Sequence, residues 1–185
     1  MSSKALFLDR DGVVNVEIGY LHRIEDVTFV PGIFSLCRTA MRLGYRLVIV
    51  TNQAGIARGF YDEAAFETLM AWMQARLREE GVELEAVYYC PFHPEHGIGE
   101  YRREHEDRKP GTGMLRRAIN ELGVSLADSV MVGDRCSDMA AANSAGLKQA
   151  FLVSGTEKSR CGGHYIEVNG LEEVERWLLK QDVSV

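Results

Sequence analysis

The chain has 185 residues, the length of about one domain. Its 46% hydrophobic and 26% charged residues exclude a disordered, fibrous or coiled-coil chain. A formal charge of −6 excludes a general nucleic-acid binder, because phosphate backbones reward a basic face; an anionic ligand would have to be held by local cations.

Four widely spaced cysteines, Cys37, Cys90, Cys136 and Cys161, form no Cys-x-x-Cys pair and predict reduced thiols in a cytosolic protein. The opening MSSKALFLD carries an apolar run of four residues, too short for a signal peptide or a membrane helix. With no repeat or Pro/Ser-rich linker, the expectation is one cytoplasmic domain over residues 1–185, monomeric, with neither a membrane nor a nucleic acid as partner.

In chain order, KALFLD predicts the first strand, and PGIFSLCRTAMRLG a helix opened by Pro31 and closed by Gly44. RLVIVTN predicts a second strand. DEAAFETLMAWMQARLREEG spaces Phe66, Leu69, Met70, Met73 and Leu77 at helical intervals, acids first and basic residues late. LEAVYYC predicts a third strand, followed by a long loop from Pro91 to Pro110. Helix GMLRRAINELG, strand SVMVGD, helix SDMAAANSAG and strand QAFLV complete the alternation. Strands that are apolar throughout are buried on both faces, and intervening helices make a parallel sheet. The predicted class is α/β with a doubly wound, Rossmann-like parallel sheet, whose ligands sit beyond the carboxyl ends of the strands.

The polar residues at those ends are therefore the candidates. Asp9 and Asp11 follow the first strand, Thr51 and Asn52 end the second, and Gly133, Asp134 and Asp138 follow SVMV, with Arg108 and Lys109 leading into the preceding helix. Carboxylates for Mg²⁺ and for nucleophilic attack, with a hydroxyl and a lysine for phosphate oxygens, are what phosphoryl transfer needs. Singly, each aspartate is better explained as a cap or turn former. The ordered set D-x-D-G, apolar-T-N, R-K-P and G-D-x-x-x-D carries the signal.

Through FLDRDGVVN, VIVTNQAGIARG, DRKPGTGM and MVGDRCSDMAAANSAG, spanning Phe7 to Gly146, the chain resembles the haloacid dehalogenase superfamily of phosphatases. DRDGVVN, GYLHRIEDVTFVPG, TNQAGIARG and YYCPFHP resemble its branch of heptose-bisphosphate 7-phosphatases and histidinol-phosphatases. The resemblance implies that Asp9 is the nucleophile and becomes an aspartyl phosphate, and that Asp11 protonates the leaving alcohol and then activates water. Mg²⁺ would be held by the Asp9 side chain, the Asp11 carbonyl and Asp134. Thr51 and Lys109 would bind the transferring phosphoryl group, with Asp138 positioning Lys109 or the metal shell.

Relatives with bulky substrates often carry a separate cap domain, for which this chain has no room, so that loops are expected to wall the pocket. Glu17, Gly19 and Tyr20 from VEIGYLHR, together with Asn52, Gln53 and the spare cations Arg108 and Arg135, are the expected substrate-binding residues. The implied substrate is a small sugar phosphate, D-glycero-D-manno-heptose 1,7-bisphosphate cleaved at C7, in ADP- or GDP-heptose synthesis for lipopolysaccharide. Histidinol phosphate is the enzymatic alternative, and a phospho-accepting signalling module the alternative of another class. The second carboxylate, Asp11, favours turnover over a stable phospho-aspartate. In the same branch the 90–110 loop carries a structural zinc held by three cysteines and a histidine. Here Cys90 is kept, Phe92 replaces the histidine, and His93, His105 and Asp107 stand nearby. A Cys90, His93, His105, Asp107 zinc site and a metal-free loop are both open.

Overall fold

The computed structural model describes residues 3–155 and 160–182. Six strands, β1 (Lys4–Leu8), β2 (Tyr45–Asn52), β3 (Ala86–Cys90), β4 (Val130–Gly133), β5 (Gln149–Val153) and β6 (Ile166–Val168), form one sheet. All the pairings are parallel, in the order β3-β2-β1-β4-β5-β6. The chain winds outward from β1 to β3, returns to β4 beside β1, and winds outward again. That reversal leaves a crevice at the carboxyl ends of β1 and β4.

Strand side chains alternate between two buried layers. Leu6 and Leu8 of β1 and Leu47 and Ile49 of β2 face α1 (Ile33–Arg42), α3 (Glu63–Glu79) and α6 (Leu171–Asp182). Ala5, Phe7, Val48 and Val50 face α4 (Gly113–Leu122) and α5 (Cys136–Ala145). The five periodic residues of α3, Phe66 to Leu77, are all buried, and Asp62 caps that helix through the amide of Ala65, as Asp at an N-cap should.

A short helix, α2 (Ala54–Ala57), follows β2 directly. Between β1 and α1 the chain makes one 3₁₀ turn at Ile24–Asp26, and between β3 and α4 another at Gly99–Tyr101. Among the described residues no second sheet or helical layer covers the crevice. No helix among them is long and apolar enough to cross a membrane.

Two expectations are corrected. Strand β6 and helix α6 extend the fold beyond the elements expected from the sequence. The Leu171, Val174 and Leu178 stripe of α6 is buried against α1. The thiols are not all reduced: Cys136 at the start of α5 is joined to Cys161, 25 residues on, in a disulfide, while Cys37 and Cys90 remain free and buried. The crossover through β5 folds the β5–β6 connection back onto α5, a proximity that cysteine spacing does not encode.

Candidate active site

Strand β1 delivers Asp9 to the crevice, where its amide continues the ladder by donating to Val132 O at 3.0 Å. The chain then turns sharply, the amides of Val14 and Asn15 returning to Arg10 O. Gly12 has φ +85° within this turn, and a Cβ there would lie 2.3 Å from Asp134 Oδ2, so only glycine lets the first turn approach the end of β4 this closely.

Lys109 is buried beneath Asp9. Its Nζ lies 3.0 Å from Asp9 Oδ1 and 2.6 Å from Asp138 Oδ1, and donates to Val50 O at 2.8 Å. Asn52 fixes the lysine's backbone, donating to Lys109 O and accepting from Lys109 N, each at 3.0 Å. Asp138 is aimed by its other oxygen, which accepts from the amides of Asp134 and Arg135. Gly133 permits that loop, since a Cβ would sit 2.3 Å from Asp138 Cβ.

Carboxylate oxygens of Asp9, Asp134 and Asp138 lie within 4.8 Å of one another, and all three residues are buried. This oxygen-only donor set fits a hard divalent cation such as Mg²⁺. Burial pushes the Asp9 carboxyl far above the usual carboxylate range; Lys109 opposes the rise, and Asp138, Asp134 and Asp11 add to it. Burial alone would lower the Lys109 ammonium, but Asp138 and Asp9 outweigh it and hold it above the ordinary lysine range.

Asp11 turns away from this cluster. Its carboxylate takes Nε and Nη2 of the fully buried Arg10 at 3.2 and 2.9 Å, Asn15 Nδ2 at 3.0 Å and Gln53 Nε2 at 3.1 Å. Arg10 is anchored in turn by donating to Leu21 O and by the Phe66 ring, 5.6 Å away. The two neighbouring aspartates thus belong to separate electrostatic settings, Asp9 with Lys109 and Asp11 with Arg10.

A cavity of about 550 Å³ opens over these groups, a size suited to a small metabolite. Of the expected substrate-binding residues, Glu17, Gly19, Tyr20, Asn52, Gln53, Arg108 and Arg135 all line it. Several have their polar atoms engaged within the protein. Gln53 donates to Asp11 and to Thr51 Oγ1 and accepts from Tyr61 Oη, while Thr51, 1% exposed, lies beneath it. Arg135 is not a spare cation: its Nη2 meets Glu17 Oε2 at 3.0 Å, and Glu17 Oε1 accepts from Gly19 N.

Arg108 donates Nη1 to Phe92 O at 3.1 Å. Arg58, which the sequence reading passed over, closes α2 and lines the same cavity. Among the described residues neither Arg58 nor Arg108 has a carboxylate partner within ion-pair distance. His93 lies on the same cavity, and partial burial, then Arg108, His96 and Arg58, hold its imidazole below the ordinary histidine range. Arg10, Tyr61 and Ser137 were also missed. Arg10, Arg58 and Ser137 each had a signal in their place within the motifs DRDGVVN, TNQAGIARG and MVGDRCSDMAAANSAG, but a buried arginine such as Arg10 reads like a solvated one.

The expected zinc set does not assemble. Cys90, His93, His105 and Asp107 form no group of converging ligand atoms among the described residues. His93 Nδ1 accepts from the amides of Glu95 and His96, His105 Nδ1 from that of Asp107, and the Cys90 thiol is buried against Phe92 O. Both Nδ1 atoms and the thiol are engaged by the loop's own backbone, and as arranged the four side chains do not converge as a zinc site requires.

A doubly wound parallel sheet gathering Asp9, Lys109, Asp134 and Asp138 at its switch point defines a phosphoryl-transfer hydrolase. The Hydrolase_like family model, that of HAD-like hydrolases, matches residues 107–167. The D-glycero-beta-D-manno-heptose-1,7-bisphosphate 7-phosphatase of Vibrio cholerae is 48% identical over 153 residues, covering 83% of this chain and 82% of its own. The alpha-anomer 7-phosphatase of Burkholderia mallei is 46% identical over 160 residues, 86% of this chain and 85% of its own. Among solved structures, the D,D-heptose 1,7-bisphosphate phosphatase of B. bronchiseptica, complexed with magnesium and phosphate, superposes with a TM-score of 0.83 at 29% identity. It covers 96% of this chain and 99% of its own. The chain belongs to the haloacid dehalogenase superfamily, within the family of heptose-1,7-bisphosphate 7-phosphatases.

Proposed function

We propose that the protein hydrolyses the C7 phosphate of D-glycero-D-manno-heptose 1,7-bisphosphate through an aspartyl phosphate on Asp9. The observation that carries this reading is one cavity holding both a buried Asp9–Lys109 pair and the uncompensated cations Arg58 and Arg108. The first suits the phosphoryl group that is transferred and the second a phosphoryl group that stays. The names of the relatives supply the sugar.

Asp9 attacks phosphorus, and the bond to the sugar oxygen breaks. Lys109, held by Asp138 and Val50 O, opposes the rise that burial gives the Asp9 carboxyl and neutralises phosphoryl oxygens as charge shifts onto the leaving group. Mg²⁺, when held by Asp9, Asp134 and the Asp11 carbonyl, supplies further positive charge against the carboxylate cluster and the phosphate. Asp11, oriented by Arg10, Asn15 and Gln53, gives a proton to the leaving oxygen and takes one from the water that opens the acyl phosphate. Gln53 connects this carboxylate to Tyr61, which stacks on His22, so the proton-transfer group rests on a packed support.

Histidinol phosphate would bring an amine cation toward Arg58 and Arg108, which disfavours that alternative. The test is phosphate release from both anomers of heptose 1,7-bisphosphate, heptose 7-phosphate and histidinol phosphate, with and without Mg²⁺. A bisphosphate should have the highest kcat/KM. Faster turnover of histidinol phosphate would overturn the reading.

A further inference from the structure

The 91–110 segment carries His93 and Arg108 to the cavity wall and ends at Lys109, yet no zinc site holds it. The structure shows another fastening. Glu63, the first residue of α3, accepts a hydrogen bond on each carboxylate oxygen: from Tyr89 Oη of β3 at 2.5 Å and from Tyr101 Oη of the loop's 3₁₀ turn at 2.7 Å. A carboxylate is also favoured in the first turn of a helix. Burial and then the Glu63 bond raise the Tyr89 phenol, and the Glu63 bond raises that of Tyr101, so both remain donors.

From Tyr101 the grip continues inward. Tyr101 O accepts from His93 N at 3.0 Å, and Ile98 N ties the turn to Ala57 O of α2 at 2.9 Å. Phe92, at the position where the family's histidine ligand stands, is packed against the Tyr101 ring at 6.0 Å and the His105 ring at 4.7 Å, with the Arg103 guanidinium 3.9 Å above it. Its carbonyl accepts from Arg108 Nη1. A continuous path of contacts thus runs from Glu63 through Tyr101 and Phe92 to Arg108.

We propose that Glu63 is a positioning residue for substrate recognition, its clamp on Tyr89 and Tyr101 and the Phe92 stack replacing a metal as the fastening of the recognition loop. The inference rests on the phosphatase reading only for its kinetic arm. Glu63→Gln replaces one accepting oxygen by a donating amide and so releases one phenol; Tyr101→Phe removes the loop's own bond.

Both variants and the unmutated protein are compared by hydrogen exchange with no substrate present, with and without a zinc chelator. In each variant the amides of His93, Ile98 and Tyr101 should exchange about tenfold faster, the loss of roughly one charge-assisted hydrogen bond, while the strand amides stay protected. Chelator should leave the unmutated loop unchanged. In the kinetic arm, KM for heptose 1,7-bisphosphate should rise about tenfold with kcat nearly unchanged, while p-nitrophenyl phosphate, which has no second anion, should turn over as before. Unchanged loop exchange in both variants, or release of the unmutated loop by chelator, would overturn the clamp. Failure of the unmutated enzyme to hydrolyse the bisphosphate would overturn the substrate reading instead, and the exchange data would still decide the clamp.

Discussion

Replacing Lys109 by methionine in metal-free buffer tests the electrostatics on which the site is built. The side chain is 3% exposed and lies between Asp9 and Asp138 at 3.0 and 2.6 Å, so its loss leaves buried carboxylates without their cation. Breaking a buried pair in this way costs about 3–5 kcal/mol. Proton uptake limits the damage, which places the expected loss at pH 7 near the low end, about 3 kcal/mol. The sign of the pH dependence follows from Asp9, whose carboxyl is already raised by burial and is lowered by Lys109. Without Lys109 its folded-state pKa rises further above the unfolded value, so the folded variant keeps a proton that the unfolded chain has released. Stability then falls as pH rises between those two values, by up to about 1.4 kcal/mol per pH unit for each proton retained. The unmutated Asp9 carboxyl is itself raised to about 8, so both proteins lose stability alike below that pH, and urea unfolding with EDTA at pH 7 and at pH 9.5 should show a variant deficit that widens above about pH 8. A deficit below about 1 kcal/mol, or one equal at the two pH values, would refute the account of a buried, charge-coupled cluster.

Asp9→Asn should abolish phosphate release, whereas Asp11→Asn should slow it by about 10²–10⁴ as expected for lost acid–base catalysis; near-normal rates for Asp9→Asn would exclude covalent catalysis. Arg58→Ala and Arg108→Ala should each lower kcat/KM for the bisphosphate by about ten- to a hundredfold and for a monophosphate much less. Arg135→Ala, removing a cation already paired with Glu17, should cost less than either, and the reverse ranking in steady-state kinetics would move the second anion site to Arg135. Reducing the Cys136–Cys161 disulfide, which closes a loop of 25 residues, should lower stability by about 3.5 kcal/mol on the chain-entropy scale; denaturation with and without dithiothreitol measures it.

The sheet was legible because its strands are uninterrupted apolar runs, and Asp9 and Asp134 because they follow such runs, while Lys109 was picked out by the R-K-P motif that leads into α4. Strand β6 escaped because IEV is three residues long with two exposed, too short and too polar to show a period. What local pattern cannot supply is pairing. Arg135 reads as a free cation until Glu17, 118 residues away, is placed beside it. Gln53 reads as a ligand for substrate until Asp11, Thr51 and Tyr61 are seen to use its amide. The cysteines read as thiols until α5 and the β5–β6 connection meet. Histidines in a polar loop read as metal ligands, and their capping of nearby amides is visible only in the folded loop.

The separation of Asp9 from Asp11 explains how this crevice tolerates so much negative charge. Asp11 is matched by Arg10 within the turn, while Asp9 and Asp138 share the ammonium of Lys109 and Asp134 lies 4.0 Å from Arg135 Nε. A divalent cation held by Asp9 and Asp134 would offset the negative charge gathered there. Arg58 and Arg108 line the same cavity with no carboxylate within ion-pair distance among the described residues, an excess of the opposite sign that a second phosphate would satisfy. On the proposed function, a metal cation would complete the reacting end of the site and the substrate's second phosphate the recognising end. A ligand with one phosphate and an amine would leave the second end worse off than water does, because it puts like charges together in a half-buried pocket. Selectivity for a bisphosphate would thus follow from Arg58 and Arg108, independently of any contact with the sugar.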